Sequence, residues 1–155
     1  MDFRSWSLAC FLIFISAVAA AQVTIDEDGL YLNENNELYT GTYIEFYTNG
    51  NKRIELSLNK GIVDGPVTLY FETGQVSEKR SYKNGKMDGT WSTWNAEGIK
   101  IGEANYKKNV KHGDWFIWDD KGTLRFEMHY TDGKKTGTWL MYNEKGELVS
   151  EQDMN

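Results

Sequence analysis

The residues able to do acid–base, nucleophilic or metal chemistry are few, and their spacing argues against a catalytic constellation. The two histidines are His112, at a turn, and His129, on the polar face of a strand. Neither belongs to a nucleophile–base–orienter arrangement or to a metal-ligand spacing. Asp119-Asp120 lies at a turn entry, while Glu103, Glu127 and Glu151 recur at one fixed interval. A catalytic carboxylate pair is a singular feature, so repeating carboxylates read as a solvated row on neighbouring hairpins, with Lys79 interrupting like-charge repulsion. Calcium would need a dense Asp/Asn/Gly loop, which none of the acidic turns supplies. The expectation is no enzyme, no metal and no cofactor.

The elements that carry these residues are set by glycine. Gly41, Gly65, Gly89, Gly113 and Gly137 are spaced by 24 residues, and Gly50, Gly74, Gly98, Gly122 and Gly146 keep step with them. A fixed period of this length marks a repeat architecture, one supersecondary unit stacked several times. Counting the first glycine as position one, a short aromatic and β-branched strand runs from the second to about the seventh position, as in Thr90-Trp-Ser-Thr-Trp-Asn95. A second strand spans the twelfth to eighteenth, as in Leu124-Arg-Phe-Glu-Met-His-Tyr130, where apolar and polar residues alternate. Asn49-Gly50 is a strong hairpin signal, and Asn84-Gly85 and Asp132-Gly133 mark the second connection. Asn109 stands at the matching site of the third repeat, where asparagine tolerates the positive φ that glycine otherwise supplies.

The fold expected is all-β: about five 24-residue hairpins forming one elongated, twisted antiparallel sheet, about 11 strands with an N-terminal cap, extending roughly 50 Å. Residues 22–40 form the cap strand and linker, with Asp28-Gly-Leu-Tyr-Leu32 in register with the second strand of an earlier unit. Residues 41–155 hold the repeats, at 41–64, 65–88, 89–112, 113–136 and 137–155.

Residues 1–21 read as a secretory signal. Arg4 precedes an apolar run from about Trp6 to Ala20, and Ala19 and Ala21 form an A-x-A pattern before Gln22. The run falls short of the about 20 apolar residues of a spanning helix. Cys10 lies too early for lipoprotein processing. Cleavage near Ala21-Gln22 removes this sole cysteine, leaving a mature chain without disulfides, which suits a bacterial envelope, periplasm or medium. The net charge of -6 disfavours nucleic acid and membrane lipid as partners. Lys107-Lys108 and Lys134-Lys135 sit at turns, where solvated lysine is expected.

If the residues flanking the Gly50-type turn pair through an even loop, the third and fifth positions share a face with the twelfth, fourteenth and sixteenth. That face collects Tyr43, Val67, Leu69, Trp91, Trp115, Ile117, Trp139 and Met141 with Ile54, Leu56, Phe126, Met128 and Leu148, and is expected to be buried. The opposite face presents Phe46, Tyr70, Trp94, Trp118 and Tyr142 beside Glu55, Lys79, Glu103, Glu127 and Glu151. Large aromatics among charges on a polar face are candidate partner-binding residues. Against this, aromatics at a structural period often pack on one another.

Units such as Gly-Thr-Trp-Ser-Thr-Trp at 89–94, preceded by Tyr-Lys-Asn-Gly-Lys-Met-Asp-Gly at 82–89, resemble the bacterial MORN-repeat variant family over roughly residues 38–155. The resemblance implies antiparallel hairpins in an extended sheet and a role in protein or lipid contacts. Many relatives carry an antitoxin label, which implies neutralising a partner toxin, although a signal peptide would take this chain out of the cytoplasm. The functional expectation is a secreted, non-catalytic scaffold that binds another protein through the aromatic face or a sheet edge. The alternatives are an antitoxin or immunity protein and a glycan-binding surface protein.

Overall fold

The computed structural model describes residues 23–154. The signal-peptide reading of residues 1–21 and the Ala21-Gln22 cleavage lie outside the described residues.

Ten successive strand positions form one antiparallel meander. Its members are β3 (Gly41–Phe46), β4 (Lys52–Asn59), β5 (Ile62–Tyr70), β6 (Val76–Lys83), β8 (Gly89–Trp94), β9 (Lys100–Lys107), β11 (Gly113–Trp118), β12 (Leu124–Thr131), β13 (Lys134–Tyr142) and β14 (Leu148–Asp153). Two short pieces, β7 (Lys86–Met87) and β10 (Val110–Lys111), pair with the ends of β6 and β9 and bring the sheet to 12 strands. They are the leading ends of β8 and β11, detached at Asp88 and His112; in β5 and β13 the same stretch is continuous. The expected first strand therefore starts earlier than the second position. It begins at the glycine or three residues before it.

The cap differs from its expected place. Thr24–Ile25 (β1) and Tyr31–Leu32 (β2) make a separate two-stranded sheet, and Leu32 bridges to Leu38. The Tyr31 N–H donates to the Gly61 carbonyl at 2.9 Å, and the Gly61 N–H to the Tyr39 carbonyl at 2.8 Å, which clips this segment over the first hairpins. Leu56, Leu58 and Val67 are buried there, with Tyr31, Tyr39, Tyr43 and Tyr82 against them.

The two connections have different chemistry. At Lys60-Gly61, Asn84-Gly85, Lys108-Asn109 and Asp132-Gly133 both residues have positive φ, as a two-residue type I′ turn requires. Asn109, at φ 71, adopts the conformation anticipated for it. The Gly50-type connections are longer. Asn95 illustrates them: its Oδ1 accepts the N–H groups of Glu97 and Ile99 at 3.1 and 2.9 Å, and the Gly98 N–H closes on its carbonyl at 3.0 Å. In the last three hairpins an acceptor side chain, Asn95, Asp119 or Asn143, opens the turn; in the first two Tyr47 and Phe71 open it through the backbone alone, and in all five glycine ends it with φ > 0. Asn49-Gly50 is thus the tail of such a turn rather than a two-residue hairpin.

This longer turn brings a bulge that corrects the face assignment. Pairing runs Glu45↔Ile54 and then Phe46↔Lys52, so two residues on β4 answer one on β3, and every hairpin repeats the shift. The twelfth position accordingly crosses to the sixth position's face, taking Leu148 with it. The third and fifth positions do share a face with the fourteenth and sixteenth, as Tyr43↔Leu56 shows.

Burial of that face is partial. Leu56, Leu58, Val67, Met128 and Tyr130 are buried, whereas Ile117, Phe126 and Met141 are exposed, as is Leu148 on the other face. The sheet is one layer, and among the described residues only the cap lies over it.

Candidate contact surface

On the face of the third position the aromatics form a continuous stack. Tyr82, Trp91, Tyr106, Trp115, Tyr130 and Trp139 follow one another with ring centroids 5.1–5.6 Å apart. The tyrosines are at the eighteenth position and the tryptophans at the third, so each of the six successive strands from β6 to β13 contributes one ring and neighbours one strand apart touch. Each tilted or edge-on pair contributes about 0.5–1.5 kcal/mol beyond its buried area. The indole N–H groups are also satisfied: Trp91, Trp115 and Trp139 donate to the carbonyls of Ser81, Asn105 and His129 at 3.3, 3.0 and 3.2 Å. The repeat glycine permits this approach. A Cβ on Gly89 would lie 3.0 Å from the Ser81 Oγ, at a φ of +102 that already disfavours any side chain. Burial and the neighbouring phenols raise the Tyr106 pKa above the ordinary phenol value. Lys111 lies over Trp115 and Tyr130, and Lys135 over Trp139. The sequence reading included the tryptophans on this side but left out the tyrosines that join them; the signal was an aromatic at both the third and the eighteenth positions.

The five residues singled out on the other face are arranged differently. Phe46, Tyr70, Trp94, Trp118 and Tyr142 end the first strand of each hairpin and pair across the bulge with Lys52, Val76, Lys100, Leu124 and Leu148. They form one row along the Asx-turn edge, two strands apart, a spacing of about 9.6 Å. Among the described residues none of the five rings touches another of the five; Trp118 has its ring contact with Phe116 of its own strand. Phe46 is exposed, and the other four are half-buried.

Charges are organised around this row. Lys52 Nζ donates to Glu55 at 2.6 Å, and the Tyr70 hydroxyl donates to the same carboxylate at 3.2 Å. Two hairpins on, Lys100 pairs with Glu103 and lies 5.5 Å over the Trp118 ring. The hydrogen bond from Lys52 holds the Glu55 carboxyl below the usual carboxylate range, and partial burial with the Glu55 charge raises the Tyr70 phenol. In the alternate hairpins the lysine's place is taken by Val76 and Leu124. The row thus has a lysine at the first and third hairpins and an apolar residue at the second, fourth and fifth, where Leu148 stands.

The histidines each stand beside an aspartate: His129 Nδ1 is 2.5 Å from Asp114, and His112 Nδ1 is 3.3 Å from Asp132. Among the described residues no group of three or more His, Cys, Asp or Glu is placed to hold a metal. Asp119 serves its turn, accepting the N–H groups of Lys121 and Thr123, which lowers its pKa.

Fold and surface together define a β-hairpin repeat protein with a regular side-chain row on one face. Three of its hairpins, at residues 39–60, 63–84 and 111–132, match the MORN repeat variant. Each match begins two residues before the repeat glycine and closes in the type I′ turn. Repeats of this kind generally suggest scaffolds for contacts with proteins or membrane lipids. No curated protein matches the chain. Among solved structures, the GtfA/B complex bound to UDP and GlcNAc aligns at 10% identity and a TM-score of 0.29, over 99% of this chain and 28% of that one. The chain spans little of that protein's length, and the likeness carries no argument.

Proposed function

We propose that this chain is a non-catalytic repeat scaffold, working outside the cytoplasm after loss of its leader, that binds another protein through the row Phe46, Tyr70, Trp94, Trp118 and Tyr142. The observation that supports this reading is the separation of the five rings. Aromatics that only stabilise the sheet stack on one another, as those of the opposite face do; these stand two strands apart. Large amphipathic rings flanked by charge are the side chains most enriched where proteins meet. Neutralising a toxin would be one form of the same contact.

Affinity purification of the chain from its own envelope and medium fractions, beside a Trp94→Ser/Trp118→Ser variant, tests the reading. One stoichiometric protein lost in the folded variant is the expected result. Equal recovery with both proteins would remove the row from the interface. A second reading, glycan binding, rests on planar rings beside the Lys52–Glu55 and Lys100–Glu103 pairs, which suit stacking and hydroxyl recognition. A glycan array on which the variant loses every hit would favour it.

A further inference from the structure

A second surface lies at the other long edge, where the type I′ turns of the central hairpins enclose a groove of about 900 Å³. Lys83, Lys86, Lys107 and Lys108 line it around Tyr106. The groove forms where the leading ends of β8 and β11 are detached at Asp88 and His112.

Its charge is basic on balance. Among the described residues Lys52, Arg53, Arg80, Lys100 and Arg125 each pair with a carboxylate, and none of the four groove lysines does. Two aspartates, Asp88 and Asp114, also line the groove, so four lysines against two carboxylates leave a net charge of +2. Asp88 accepts the Lys108 N–H at 3.2 Å, and Asp114 stands against His129. A net positive groove thus stands in a chain whose net charge is -6.

We propose that this groove binds an acidic segment of a partner polypeptide in an extended, polyproline II-like form. Charge complementarity selects an anion, and the rest of the surface selects a narrow one. The cap carries Asp26, Glu27, Asp28, Glu34 and Glu37, and the opposite turns carry Glu72, Glu97, Asp120, Glu144 and Glu147. A membrane surface or a nucleic acid duplex, wide relative to the Debye length of about 8 Å, would meet those carboxylates as well as the lysines. A single strand of peptide would meet the net positive groove and not those distant carboxylates. Spacing agrees with this. Lys83 and Lys107 occupy the same position in adjacent hairpins, two strands or about 9.6 Å apart. In polyproline II every third side chain returns to one side after about 9.3 Å, so carboxylates at every third residue keep step with the hairpins. This site is separate from the aromatic row, and either could fail without the other.

The test uses the full chain and fluorescein-labelled (Glu-Pro-Pro)n and (Gln-Pro-Pro)n peptides, with anisotropy read at low and physiological salt. The expected result is binding of the Glu peptide that weakens with salt, and affinity lower by about tenfold or more both for the Gln peptide and for Lys83→Gln/Lys107→Gln. Lys121→Gln/Lys145→Gln, which removes the same charge from the opposite turns, should change affinity less than about twofold. Equal loss in the two variants would reduce the effect to net charge and overturn the proposal. So would tighter binding of phosphatidylglycerol vesicles than of the Glu peptide through the same lysines, or no preference for Glu over Gln. The Glu-against-Gln comparison stands on the parent chain, whether or not a variant folds.

Discussion

The two faces of this sheet carry aromatic columns of the same period and use them differently. On one face each of the six successive strands from β6 to β13 contributes a ring, neighbours lie within 5.1–5.6 Å, and the indoles are hydrogen-bonded to the backbone. On the other only alternate strands contribute, and rings about 9.6 Å apart cannot touch. One strand of separation makes a structural column and two leave the rings of the row out of contact with one another. An aromatic at a repeat position is therefore informative only together with the position that pairs beside it.

The largest expected effect breaks the stacked column. Tyr130 is buried and touches both Trp115 and Trp139, so Tyr130→Ala should destabilise the chain by about 3–5 kcal/mol in urea unfolding. Gly89→Ala attacks the glycine that lets Trp91 reach the Ser81 carbonyl. With φ at +102 and Ser81 at 3.0 Å, a loss of about 1–3 kcal/mol is expected. Gly98→Ala, with positive φ but open space around it, should lose only about 1 kcal/mol in the same assay.

On the other face, Asn95 anchors the turn that follows Trp94. Asn95→Ala removes its bonds to Glu97, Ile99 and the Asp120 carbonyl and should lower stability by about 1 kcal/mol, with faster amide exchange confined to residues 95–99. The smallest effect is acid dependence. Glu55 and Asp119 have folded pKa values below their unfolded ones, so as pH falls the unfolded chain takes up protons first. Their contribution is full above the ordinary carboxylate range and is lost as pH falls through the lowered values. Urea midpoints should decline modestly below about pH 5, and Glu55→Gln should flatten part of that decline.

Much of the architecture was legible. The glycine period announced the hairpins, strict alternation marked their second strands, and Asn109 revealed a positive φ without glycine. What escaped was the register beyond the Gly50-type turn. A glycine with φ > 0 ends a two-residue hairpin and a longer turn with a bulge alike, and only the latter sends Lys52, Lys100 and Leu148 to the sixth position's face. That crossing builds the Lys52–Glu55–Tyr70 cluster, so the setting of the candidate row could not be read from alternation. The cap was visible as Asp28–Leu32, yet its partner, Thr24–Ile25, is too short to carry a periodic signal. The gathering of Lys83, Lys86, Lys107 and Lys108 around one groove depends on how adjacent hairpins stack in three dimensions, and sequence order does not show it.

The most direct test of the division between faces is to compare equilibrium unfolding of Trp94→Ser/Trp118→Ser with that of Trp91→Ser/Trp115→Ser. The stacked column predicts a severe loss for the second, while the first keeps a midpoint close to the parent. Equal destabilisation of both would contradict the account, because the separated row would then be part of the packing that holds the sheet together.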